Sequence, residues 1–100
     1  MKSLRRAALA AVVLVAAALP AAAQNANPQL LAFTCQGCHG TAGKSPGTIP
    51  ALHGKTAEQI LALLKDFRDG GRAATVMGRI AKGYTDAEIE AIAKEVASWK

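Results

Sequence analysis

The sequence predicts a small all-α domain whose loops wrap around something that is not protein. Three observations carry that prediction. Thr56 with Gln59, and Thr85 with Glu88, form two capping boxes, each opening a run of apolar residues at helical spacing. No stretch alternates apolar and polar residues as a half-buried strand would, and no internal repeat is visible. Between the helical segments, residues 39–55 are rich in Gly, Pro, Ser and Thr. A loop of that length is unusual in a small domain unless it serves a function.

The chain is 100 residues long, at most one domain, and its first segment reads as a targeting element. Met1-Lys2-Ser3-Leu4-Arg5-Arg6 is basic, Ala7 to Leu19 is apolar, and Pro20-Ala21-Ala22-Ala23 ends on small residues. Those are the three parts of a secretory signal peptide. The apolar run has 13 residues, from 7 to 19, whereas a membrane-spanning helix needs about 20. The expectation is therefore a signal peptide over 1–23, cleaved after about Ala23, with no permanent membrane span. The remaining domain, 24–100, is then exported, to the periplasm in a bacterium.

Removing Lys2, Arg5 and Arg6 leaves nine basic against seven acidic residues, a net charge of +2 rather than +5. No basic run survives, so nucleic-acid binding is not expected. The 77 residues from 24 to 100 are near the size at which an apolar core supplies only about 3–5 kcal/mol. Such a domain needs a staple. Its two cysteines, Cys35 and Cys38, are too close for a useful disulfide. A large apolar group joined to both thiols would serve better.

The elements follow in order. Residues 24–27 read as a lead-in. Pro28 to Thr34 reads as a short helix capped by Asn27, with Leu30, Leu31 and Phe33 as its buried residues. After the 39–55 loop, a second helix starts from Thr56 and carries Ile60, Leu61, Leu63, Leu64 and Phe67 on one stripe, stopping before Gly70-Gly71. Arg72 to Tyr84 is punctuated by glycine and carries Met77. The last helix, capped by Thr85, places Ile89, Ile92, Ala93, Val96 and Trp99 at helical spacing. Three main helices result.

The chemistry lies in Cys35-Gln36-Gly37-Cys38-His39. C-x-x-C-H is the signature of covalent c-type haem attachment. Each thiol adds to one haem vinyl group, and the histidine after the second cysteine lies under the iron as an axial ligand. Two other readings exist. A thioredoxin-like dithiol needs a βαβ setting, which the pattern lacks. A structural zinc site needs four ligands, for which only Cys35, Cys38, His39 and His53 are on offer.

Met77 is the only methionine beyond the signal segment. It lies in Thr75-Val76-Met77-Gly78, and axial Met opposite His is the usual pairing for electron transfer. His53 is the rival sixth ligand, only 14 residues beyond His39. A proximal histidine also needs an acceptor for its other ring nitrogen. The Pro50 carbonyl is the candidate, by its place in the loop.

These residues resemble a class I cytochrome c. The resemblance rests on Cys35–His39, on Thr48-Ile49-Pro50-Ala51-Leu52-His53-Gly54, on Met77 and on the closing amphipathic helix, and it covers the whole of 24–100. It implies one covalent haem c, His39 and Met77 as iron ligands, Pro50 as acceptor from His39, and Leu52 packed on the haem. It also implies that the terminal helices cross, with Leu30–Phe33 against Val96–Trp99. The segment from Thr75 to Tyr84 is similar to the methionine-ligand segment of the cytochrome subunit of flavocytochrome c sulfide dehydrogenase, in a single-haem form. That similarity implies a partner subunit bearing FAD and a redox disulfide, which oxidises sulfide. This chain would take the electrons one at a time and pass them to a downstream cytochrome or oxidase. On that reading it is not itself an enzyme, since no nucleophile–base pair remains once both thiols hold haem. Arg72, Arg79 and Lys82 would lie on the docking face. Two alternatives are a free-standing shuttle between redox complexes and a haem-based sensor.

Overall fold

The structure, a computed structural model, describes residues 26–100. The expected signal peptide lies outside the described residues. Helix α1 is Pro28–Phe33, and the Asn27 Oδ1 accepts from the Gln29 N–H at 3.0 Å, satisfying a donor that the first turn leaves free. Helix α2, Gln36–His39, is a single turn, followed by a 3₁₀ turn at Thr41–Gly43. Both capping boxes form as expected: Thr56 and Gln59 open α3 (Ala57–Asp69), and Thr85 and Glu88 open α5 (Asp86–Ala97). Helix α4 is Met77–Ala81. Among the described residues there is no strand, and the fold is a small all-α arrangement, as the sequence predicts.

Helix α5 lies at the centre, packed against both α1 and α3, while α4 packs on α3. Ala32, Ile60, Leu64, Ile89, Ile92, Ala93 and Val96 form one buried cluster. Each fully buried isoleucine contributes about 1.5–3 kcal/mol of transfer free energy. Leu61, Leu63 and Phe67 are only half-buried, so the α3 stripe is narrower than its composition implies.

The expected crossing of the terminal helices is present, but through different residues. Leu30 and Phe33 are 69 % and 67 % exposed, whereas Ala32 is fully buried and Leu31 packs against the core. At 100° per residue, positions 31, 32 and 35 share one face and 30 and 33 point away from it. The small Ala32 lets the two helices come close, and the larger side chains beside it stay outside. Trp99 also differs from expectation. It lies beyond the end of α5, held by its N–H to the Val96 carbonyl at 3.2 Å, and is half-buried against the core.

Arg68 ties the end of α3 to the start of α5, pairing with Asp86 and, at 3.1 Å, with Asp69. Hydrogen bonding from Arg68 holds the Asp86 carboxyl below its ordinary value. A depressed carboxyl stabilises the fold above its unfolded pKa and loses that contribution as pH falls through the folded value. Asp86→Asn is therefore expected to lower thermal stability slightly at pH 7. The gap to the parent should close below about pH 4, the ordinary aspartate range, in melts recorded across pH. The effect is small because the pair is exposed.

Candidate haem site

The Cys35 carbonyl accepts from the N–H groups of Cys38 (3.3 Å) and His39 (2.9 Å), so the C-x-x-C-H run is wound into one helical turn. Residues three apart on such a turn share a side. Both thiols are free: Cys35 is half-buried at the edge of the core and Cys38 is exposed. Burial pushes the Cys35 thiol above its ordinary value. A thioredoxin-like dithiol needs a strand–helix–strand setting, and among the described residues there is no strand.

His39 is 9 % exposed and is the one buried polar side chain among the described residues. Its Nδ1 lies 2.5 Å from the Pro50 carbonyl oxygen. A carbonyl only accepts, so Nδ1 carries the proton, and in the neutral ring the lone pair is then on Nε2. The structure thus contains the His39–Pro50 hydrogen bond expected from the sequence.

The loop is built to make that bond. Its backbone turns sharply, with positive φ at Gly40, Ala42, Gly43 and Ser45. The Gln36 Oε1 accepts from the Ala42 N–H at 3.0 Å, and the Ser45 N–H donates to the His39 carbonyl at 2.7 Å. The Gly43 carbonyl accepts from Leu52 (2.8 Å) and His53 (3.1 Å), folding residues 44–51 back so that Pro50 reaches the imidazole. Sequence reasoning passed over Gln36, Gly43 and Ser45 as supports. Gln36 occupies a variable position of the motif, and left-handed backbone at Ala42 or Ser45 has no signal in residue type.

Met77 is the first residue of α4, half-buried, and it packs against the same core cluster as Cys35 and Leu52. The glycine-punctuated 72–84 stretch therefore contains a short helix beyond the three main helices expected. Gly78 faces α3: a Cβ there would meet the Phe67 carbonyl at 3.5 Å, ordinary contact. His53 is exposed and far less enclosed than His39. Among the described residues no three His, Cys, Asp or Glu side chains converge as a metal-binding group, so the zinc reading lacks its ligand set.

The residues present fit a covalently held, apolar, iron-bearing group. Two unpaired thiols share a helical turn, beside an imidazole whose Nδ1 is already committed. Ile49, Val76 and Ile80 are large apolar side chains left 41 %, 55 % and 42 % exposed in the two segments that carry Pro50 and Met77.

Comparison with known proteins agrees. The family model for cytochrome c matches residues 24–98. The chain is 52 % identical over 66 residues to the cytochrome subunit of sulfide dehydrogenase of Chlorobaculum tepidum, covering 66 % of this chain and 60 % of that protein. It is 32 % identical over 68 residues to cytochrome c-553 of Desulfomicrobium norvegicum, covering 65 % of this chain and 85 % of the relative. It is 37 % identical over 68 residues to the thiosulfate dehydrogenase electron acceptor of Stutzerimonas stutzeri, covering 64 % of this chain and 32 % of that protein. The chain thus spans about 60 % of the length of the sulfide dehydrogenase relative.

Proposed function

The chain belongs to the cytochrome c family, whose members carry covalent haem c, and on that premise we propose that it is an exported carrier of one electron at a time. In this reading Cys35 and Cys38 would hold the haem, and His39 and Met77 would ligate its iron. The observation that carries it is the His39–Pro50 hydrogen bond, which leaves Nε2 as the donor nitrogen beside two free thiols. Haem c, when bound, supplies an iron that changes oxidation state by one electron.

The rest is the work of this chain. Pro50 fixes the tautomer and orientation of His39. Helix α4 presents Met77 from a segment packed on α3. Leu52, Ile49, Val76 and Ile80 supply apolar surface that would exclude water from the metal. The domain boundaries, a signal peptide over 1–23 and a cytochrome domain over 24–100, belong to the same proposal, as does the periplasmic location. No helix among the described residues is long and apolar enough to cross a membrane. The test is direct: haem should stay with the chain on a denaturing gel after expression with export and haem-attachment machinery. Haem released by denaturation would sink the assignment of the cysteines.

For the partner we infer an FAD-bearing subunit that oxidises sulfide and passes electrons singly to this chain. The 52 % identity to a sulfide dehydrogenase cytochrome subunit supports this. The charge pattern supports a docking face on the side of the haem segments. Residues 26–57 and 70–84 contain Lys44, Lys55, Arg72, Arg79 and Lys82 and no Asp or Glu. All seven acidic residues lie within α3 and α5, as do all the ion pairs among the described residues. An acidic surface on the partner fits that asymmetry.

One observation favours a second reading, a free-standing shuttle: the match covers 85 % of the length of the cytochrome c-553 of Desulfomicrobium norvegicum. Purification from the native source separates the two. Co-elution with a flavin-containing protein, weakened by salt, is expected for the first reading. A flavin-free monomer at native concentration would favour the shuttle.

A further inference from the structure

Ser45 sits where the two ends of the haem-side loop meet. It is one of two non-glycine residues with positive φ among the described residues, at +37°. Such a conformation is strained for a residue with a side chain and persists only where its surroundings impose it. What holds it is a pair of hydrogen bonds in two directions. Its N–H donates to the His39 carbonyl at 2.7 Å. Its hydroxyl donates to the carbonyl of Ile49, the residue before Pro50, and lies 3.4 Å from the Gly47 carbonyl and N–H. One residue therefore grips both the backbone that carries the imidazole and the backbone that carries its acceptor.

We propose that Ser45 is a positioning residue that sets the His39 Nδ1–H···O=C Pro50 hydrogen bond and so tunes how strongly Nε2 donates to the metal. The proposal rests on the reading of His39 as an axial ligand. The physical link is short. A strong acceptor at Nδ1 makes the imidazole more basic, which favours the more highly charged ferric state. Removing the Ser45 hydroxyl releases the Ile49–Pro50 backbone, weakens the acceptor and shifts the balance toward ferrous iron. Gln36 acts on the same loop from further away, through Ala42, and does not touch the Pro50 side.

The test uses the full haem-loaded protein and three variants. Ser45→Ala removes the hydroxyl and keeps the left-handed strain. Ser45→Gly removes both, so it folds even where the alanine variant does not. Ser45→Thr restores a hydroxyl. If the hydroxyl positions Pro50, the alanine and glycine variants shift the one-electron equilibrium toward ferrous by about threefold, roughly 30 mV at 59 mV per tenfold. In both, the His39 Nδ1–H proton should exchange faster with solvent by NMR, and threonine should recover both readouts. A purely structural role predicts a different order, with glycine, free of strain, matching the parent. Parent-like potential and exchange in alanine and glycine variants overturn the proposal. An oxidised parent protein without His–Met ligation by spectroscopy overturns the reading beneath it, and that result is visible before any variant is made.

Discussion

Met77→Ala should lower the reduction potential by on the order of 0.2 V, part of the roughly 0.8 V range over which axial ligands set haem potentials. A thioether is a weak, soft donor that favours ferrous iron, so its loss leaves a site that water or hydroxide fills and that favours ferric iron. The same variant should lose the weak charge-transfer absorption of methionine-ligated ferric haem and should bind carbon monoxide readily in the ferrous state. The fold should survive, because Met77 is only half-buried at the start of α4. Truncation of a fully buried methionine costs about 2–5 kcal/mol, and a half-buried one costs less. Met77→His separates ligation from packing: it keeps a sixth ligand, blocks carbon monoxide and still lowers the potential. If Met77→Ala keeps the parent spectrum and potential, Met77 is core filling and the sixth position is open or belongs to His53.

Much of this site was legible in the sequence because its parts are local. The C-x-x-C-H run, the two capping boxes and the Asn27 cap each involve residues within four positions; the caps are present as read, and the run is wound into one helical turn. The Pro50 carbonyl was reachable by chemistry, since a proximal histidine needs an acceptor and the loop offered one. Burial was less legible. Leu30 and Phe33 read as core because they are large and apolar, yet helix packing selected Ala32, the residue that lets α1 approach α5. Helix α4 was hidden because Gly78 lowers local helix propensity, while packing on α3 stabilises the turn. The supports of the loop were the least legible of all. Gln36, Gly43 and Ser45 act through backbone groups far along the chain, and nothing in their residue types announces a partner.

Gly43→Ala is expected to destabilise the haem-loaded protein by about 3 kcal/mol, combining left-handed strain of about 1–3 kcal/mol with overpacking of similar size. Gly43 is buried with φ at +69°. A Cβ there would lie 2.9 Å from the Leu52 Cβ, 3.1 Å from the His53 nitrogen and 3.2 Å from the Trp99 Cε3. Two of these neighbours are loop groups tied to the Gly43 carbonyl itself, so relieving the clash pulls on those hydrogen bonds. The third is the ring that closes the chain end over the core. Gly54 provides the control. Its φ is +82°, but a Cβ there meets nothing within 4 Å. Gly54→Ala should therefore cost only the conformational part, about 1 kcal/mol. Denaturant unfolding of the two ferric proteins gives the comparison, and equal losses would show that packing over Gly43 is not a constraint. A larger loss at Gly43 should also come with a shifted potential, because the same loop carries Pro50 to His39 and Leu52 to the core. Gly54, outside that crossing point, should leave the potential unchanged.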